Sequence, residues 1–264
     1  SYKGTIKMAS KFEEPLFIKS IEKGFTIIEL FERVENDLSL SEIAKATGYG
    51  ISGTQRLLFT LEKLGYLEKN QQTKKYTLGI KTLTIGFEYN RLSRIKRASL
   101  KVIEALTTLF REDLVLMAFN KSNLVNVMHI PGKNICFKIT TPGHPYSLIY
   151  SAGGRSVLSH LPSMQAVGLV FSLQKSIYTN KTITEPKLIL NEIETAYSKG
   201  FSIIDGETDL DSISIAAAIV AKDGSPIAAL EMTAPRQQWK WMKQREQFGA
   251  KLEQAAKQIA ENLR

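Results

Sequence analysis

Three histidines, one cysteine and a few carboxylates are the residues of this chain best suited to covalent or metal chemistry. His129, His144 and His160 stand in no metal-ligand spacing with one another, or with an acidic residue at helical i+3 or i+4. A transition-metal site needs several such donors converging, so no metal is expected. Cys136, the only cysteine, lies in an apolar strand pattern and reads as a core thiol rather than a nucleophile. A lone cysteine also excludes an intramolecular disulfide and a cysteine-rich zinc site, which fits a reducing, cytoplasmic setting. Gly153-Gly154-Arg155 is like a phosphate-cradling turn but lacks the Gly-Lys-Ser/Thr ending of a P-loop. Asp205, Glu207, Asp209 and Asp211 alternate, which suits a solvated acidic loop better than a divalent-cation site. No catalytic residue and no cofactor emerge from these patterns.

A second group of residues has the chemistry of nucleic-acid contact. Ser52, Gly53, Thr54, Gln55 and Arg56 open an amphipathic segment, and Lys74 and Lys75 lie in a polar hairpin shortly after it. Hydroxyl, amide and guanidinium groups donate to phosphates or base edges, and lysines neutralise phosphate charge. Arg56 has a second reading, as the partner of a carboxylate inside the small domain.

The elements that position these residues run from Leu38 to Gly79. Leu40, Ile43, Ala44 and Thr47 share one helical face, and Gly48 suits the helix end. Ser52 reads as the N-cap of the next helix, Leu57, Leu58, Leu61 and Leu64 as its buried stripe, and Gly65 as its stop. Tyr66-Leu67-Glu68 and Lys75-Tyr76-Thr77-Leu78 alternate about a basic turn, as in a hairpin. Two short helices followed by a charged β-ribbon describe a winged helix-turn-helix. Ahead of them, Ile21, Phe25 and Ile28, with Leu30 or Phe31, recur at helical spacing and are expected in the core.

The 264 residues are comfortable for two domains, and 43% hydrophobic residues can bury a sizeable core. A net charge of +9 favours a polyanionic partner, and six of those charges fall within residues 1–97, together with the helix-turn-helix. No apolar run approaches the roughly 20 residues of a membrane span, and the start of the chain carries no secretory apolar segment, so no membrane role is expected. Residues 14–79 are read as the winged helix-turn-helix domain, 80–97 as a linker helix, and 98–264 as a separate α+β domain. In that last part, helices are expected over Ala98–Phe110, after Ser151-Ala152-Gly153-Gly154, over Glu185–Lys199 and from Trp239 to Leu263. Leu114–Phe119, Leu124–Ile130, Ile135–Thr140, Ile213–Ala221 and Pro226–Thr233 read as strands of a mainly antiparallel sheet flanked by helices.

The assembled segments resemble the isocitrate-lyase-regulator, or IclR, family of bacterial transcription factors. The resemblance rests on Lys19–Leu30, Leu40-Ser41-Glu42-Ile43-Ala44, Arg56–Tyr66 and Lys75–Gly79, and more loosely on Gly153–Leu158, Ile213–Ala218 and Ala228–Pro235. It implies a GAF-like effector-binding second half, binding to double-stranded operator DNA near metabolic genes, a small-molecule metabolite as effector, and a homodimer or dimer of dimers. It also points to Ser151, Ala152, Gly153, Asp205, Ser214, Glu231 and Thr233 as effector-binding residues. Twofold pairing is expected physically as well, because one short helix reads few base pairs.

The departures from the family pattern carry their own expectations. Ser214 stands where many members have a cysteine, and Glu231 and Thr233 where small serine-like residues often line the pocket. An ionised Glu231 offers only acceptors, so either the ligand bears hydroxyl or amino groups rather than being a bare acid, or Glu231 pairs with a local Lys or Arg. Ile51 and Gly53 replace a basic residue and a threonine in the reading helix, which leaves base preference open while Gly53 exposes backbone for a phosphate. A ligand-responsive regulator is the reading these features favour, with the 80–97 helix as relay. The alternative is a constitutive DNA-binding or architectural protein with a vestigial sensor.

Overall fold

The computed structural model describes residues 15–34, 36–133, 141–239 and 242–263. The expected strand Ile135–Thr140, with Cys136, lies outside them. The chain divides between Tyr89 and Asn90 into two compact units.

The first unit contains α1 (Lys19–Leu30), a 3-10 turn (Phe31–Arg33), α2 (Leu40–Thr47), α3 (Ile51–Lys63), the hairpin β1 (Leu67–Lys69) and β2 (Tyr76–Leu78), and α4 (Lys81–Leu92), which ends beyond it. Ser39 starts α2 through a capping box: its hydroxyl accepts the Glu42 N–H at 3.3 Å while the Glu42 carboxylate accepts the Ser39 N–H at 2.7 Å. The bond from the Ser39 N–H, more than the nearby Ser39 hydroxyl, holds the Glu42 carboxyl below the usual range. Gly48 ends the helix at φ 72°, a left-handed conformation that costs a glycine little. Ile27, Leu30, Ile43, Leu58, Leu61, Leu67 and Tyr76 form the core. The core face of α1 agrees with the expected one in part: Leu30 is buried and Ile28 and Phe31 pack against the core, but Ile27 points inward while Ile21 and Phe25 are more than half exposed. Helical periodicity allows two overlapping apolar stripes here, and packing against α2 and α3 selects one. In α3 Thr54 replaces Leu64 in the buried set, and Gly50, not Ser52, is the N-cap.

The second unit is built on a six-stranded antiparallel sheet in the order β5-β4-β3-β8-β7-β6. Its strands are β3 (Asp113–Asn120), β4 (Asn123–Ile130), β5 (Pro145–Tyr146), β6 (Ser202–Asp205), β7 (Ser212–Val220) and β8 (Pro226–Pro235). One face packs on α5 (Arg94–Phe110) and α9 (Met242–Asn262) through Leu114, Leu116, Ile213, Ile215, Leu230 and Met232. The other, carrying Val115, Met117 and Ala229, packs on α6 (Ala152–Leu158), α7 (Ser163–Ser172) and α8 (Pro186–Lys199) through Val157, Leu158, Val170 and Ile189. Helix on sheet on helix makes the molecule α+β, as the alternating patterns imply.

Four elements differ from expectation. The 80–97 segment is two helices broken at Ser93, whose non-helical backbone (φ −59°, ψ 112°) and hydroxyl, accepting the Lys96 N–H at 3.4 Å, start α5 afresh. Helix α7 and strand β6 were not evident, the latter hidden in the approach to the acidic run. In α8, whose spacing predicts Leu188, Ile189, Ile193 and Tyr197 or Ala196 inward, Ile189, Ile193 and Ala196 are buried while Leu188 and Tyr197 face solvent.

Candidate nucleic-acid interface and sensor site

The exposed face of α3 presents Ser52, Gly53, Gln55, Arg56, Thr60 and Lys63. Between this helix and the hairpin lies an open groove of about 350 Å³, to which α3 contributes Gln55, Arg56 and Phe59 and the hairpin Lys69 and Tyr76. Among the described residues Arg56 makes no ion pair, so its guanidinium is not committed to a carboxylate of the small unit. Lys74 is exposed at the hairpin tip in a left-handed conformation (φ 57°). The Asn70 carboxamide steadies that tip by accepting the Gln72 and Thr73 N–H groups at 2.9 and 3.0 Å. Lys75 is half-buried, close enough to Glu42 to help lower its pKa. Thr54 does not belong to this surface. It is fully buried, and its hydroxyl donates to the Gly50 carbonyl at 3.0 Å, so it has no group left for DNA. Lys69, Phe59 and Thr60 are absent from the expected contact set, because only the packing of hairpin on helix brings them beside Arg56.

In the second unit Ser151, Ala152, Gly153, Ser214, Glu231 and Thr233 gather on the α6 side of the sheet. Ser151 caps α6, accepting the Gly154 N–H at 2.9 Å and donating to the Ser147 carbonyl at 2.6 Å. Ala152 is fully buried against Ile204 and Ala216. Ser214 and Thr233 are cross-strand partners with hydroxyls 2.9 Å apart. Glu231 lies between Val115 on β3 and Ala216 on β7, and its Oε2 accepts the Gly153 N–H at 2.7 Å. Among the described residues it has no Lys or Arg partner. Burial pushes its carboxyl up to about 7, against the Gly153 N–H and the Ser214 and Thr233 hydroxyls, which favour the charged form. The sheet register also sets Asp113 opposite Thr233 and His129 opposite Val115, 3.8 Å apart at their nearest polar atoms. Neither appeared in the expected set, since period-two alternation cannot pair strands before their register is known.

Asp205 is not in this cluster. It pairs with Ile213 across β6 and β7, on the opposite face, and its carboxylate binds Arg236 and, at 2.8 Å, Arg245. Burial opposes ionisation of Asp205, but the bonds to Arg236 and Arg245 outweigh it and hold the pKa below the usual value. The acidic run is likewise not a wholly solvated loop. Glu207 is buried and takes both terminal nitrogens of Arg155 at 2.7 Å, while the Arg155 Nε donates to the Ile149 carbonyl. Arg155 is thus a structural cation, and its guanidinium is not offered to a phosphate. Among the described residues no group of three or more His, Cys, Asp or Glu is arranged to hold a metal ion.

A family model described as the IclR helix-turn-helix domain matches residues 20–71, and one described as the bacterial transcriptional regulator IclR C-terminal matches residues 88–261. The chain belongs to the IclR family. Among the curated relatives of this IclR chain, the HTH-type transcriptional regulator KipR of Bacillus subtilis is 25% identical over 76% of this chain and 80% of its own length. An IclR family transcriptional regulator from Brucella abortus has the same fold, with a TM-score of 0.82 at 20% identity over 97% of this chain and 96% of that one. So does an IclR homolog from Microbacterium hydrocarbonoxydans complexed with 4-hydroxybenzoate, with a TM-score of 0.70 at 19% identity over 92% and 98%. This IclR chain is accordingly a DNA-binding transcriptional regulator and not an enzyme. No helix among its described residues is long and apolar enough to cross a membrane.

Proposed function

We propose that this chain binds double-stranded operator DNA near metabolic genes through α3 and the β1–β2 wing, under the control of a small-molecule effector held in its second unit. The observation that carries the reading is the polar cluster of Gly153, Ser214, Glu231 and Thr233, set between α6 and the sheet in an otherwise apolar interior. A buried carboxyl with a raised pKa set among polar side chains is a candidate ligand-site feature. The ligand-complexed Microbacterium homolog supports a sensor role for the same fold. On the DNA side, Gln55, Arg56 and Lys74, with Lys75 beside them, supply the donors and charge, and Ser52 and Gly53 offer backbone at the start of α3. A homodimer or dimer of dimers is part of the proposal: none of the residues of α4 is buried, and Leu83, Ile85, Phe87 and Tyr89 are each more than half exposed.

A second reading, a constitutive regulator with a closed sensor, is favoured by one observation. A Cβ added at Gly153 would lie 2.3 Å from the Met117 Cε, so α6 already sits hard against the sheet. Selection of bound duplexes from a random pool, with and without metabolites, separates the two. A metabolite that changes the selected DNA and raises the unfolding midpoint supports the sensor, whereas no response across a broad metabolite panel leaves the constitutive regulator.

A further inference from the structure

The hydrogen-bond donors around Glu231 are those that a small carboxylate ligand would require. The Gly153 N–H reaches Oε2 at 2.7 Å, and the hydroxyls of Ser214 and Thr233 favour the ionised carboxyl. The flanking surface is apolar: Val115 and Met117 on β3, Ala216 on β7 and Ala229 on β8. A short acid seated there would bond to the same N–H and hydroxyls and pack its carbon end on the same side chains. The space is taken by the chain itself, since the Glu231 Oε2 already lies 3.3 Å from where a Cβ of residue 153 would be.

We propose that Glu231 is a tethered ligand, a carboxyl group built into β8 that occupies the subsite where a free carboxylate would be held. Resting on the sensor reading above, this narrows the effector class. The wild-type protein rejects short bare carboxylic acids, and any effector must bind beside Glu231, meeting it with a hydroxyl or amino donor, or displace it. Among the described strand residues, the charged and titratable groups sharing that sheet face with Glu231 are Asp113 and His129. The Asp113 Oδ1 accepts the Gly132 N–H at 2.7 Å, so Asp113 faces its own loop and supplies no donor for a second carboxylate.

Chemical rescue of the full-length chain tests the proposal. Glu231→Ala empties a space of about the size of acetate and leaves in place the Gly153 N–H and the Ser214–Thr233 hydroxyl pair, one proton of which is shared between the two hydroxyls. Formate or acetate should raise the unfolding midpoint of this variant saturably, by roughly 5 °C or more, and leave the wild type unmoved. Glu231→Gln keeps the space filled and should also fail to respond, and acetamide, of the same shape without the acid, should not rescue. Equal acetate responses in Glu231→Ala and wild type, or equal rescue by acetamide, would overturn the proposal. If Glu231→Ala does not fold alone, refolding driven by acetate is the same positive result, and no refolding at molar acetate counts against it. Operator affinity of the rescued variant, measured with and without acetate, tests the sensor reading separately: unchanged affinity beside a clear stability rescue would remove the sensor and keep the tethered carboxyl.

Discussion

At the scale of single residues, burial decides what each charged group can do. Glu231 has a folded-state pKa of about 7 against 4.5 for the free side chain. The folded state therefore holds the proton over a range where the unfolded state has lost it, so the contribution of Glu231 is largest below about pH 4.5 and is lost as pH rises towards 7. Stability measured from pH 4.5 to 7.5 should fall with pH more steeply in wild type than in Glu231→Gln, the difference reaching a few kcal/mol. Parallel pH profiles would show that the site does not titrate this way. Glu207→Ala should cost about 3–5 kcal/mol in denaturant unfolding, because it strands the Arg155 guanidinium in the interior. Replacing both partners with apolar residues of similar volume should recover much of that loss. On the DNA side, Arg56→Ala should weaken operator binding and flatten its salt dependence by about one counterion. Thr54→Val should leave affinity intact and cost about 1 kcal/mol of stability, through the lost bond to the Gly50 carbonyl. Fluorescence anisotropy at several salt concentrations distinguishes the two.

At the scale of elements, helix ends and strand register were legible to different degrees. The hairpin of β3 and β4 and the β7–β8 pair were evident from alternation about polar turns, and Gly48 and Gly200 mark helix ends in left-handed conformations. Ser39, by contrast, starts α2 from a position that the apolar pattern leaves unmarked; its Ser-x-x-Glu spacing to Glu42 is a capping signature in the sequence that apolar periodicity alone does not register. Ser39→Ala should lower the stability of the first unit by about 1 kcal/mol, read from hydrogen exchange of the α2 amides. The break at Ser93 was hidden for a related reason. Helical spacing continues through 80–97, and a serine that leaves the helix and caps the next one satisfies the same pattern.

At the scale of the whole molecule, the exposed apolar residues of α4 bear on assembly. Leu83 and Phe87 are 66% and 62% exposed, too much apolar surface for a helix that stays in water alone. Leu83→Ser with Phe87→Ser should shift the protein towards monomer in sedimentation velocity. Operator affinity should fall with it, since a monomer contacts one half-site. Regulation is bounded by linkage: an effector changes operator affinity only by its preference between the DNA-competent and other arrangements, on the order of 1–3 kcal/mol. The +9 charge adds a salt-dependent attraction to DNA that does not depend on the effector.

The sequence by itself determined the α+β class, the helix-turn-helix with its basic wing, most of the strands of the second unit and the family. These follow from periodicity, turn chemistry and local motifs, which are properties of neighbours along the chain. Only the tertiary structure decided which face of each element is used. Thr54 went inward, Asp205 was set behind the sheet with two arginines, Glu207 was matched to Arg155, and Glu231 met Gly153, residues 78 positions apart. Strand register and helix docking are contacts at long sequence separation, and a one-residue slip in a strand would exchange its two faces. For that reason Glu231 and its neighbours were nameable from the sequence as effector-site candidates, while the bond from the Gly153 N–H to the Glu231 carboxyl and the removal of Asp205 from the group required the fold.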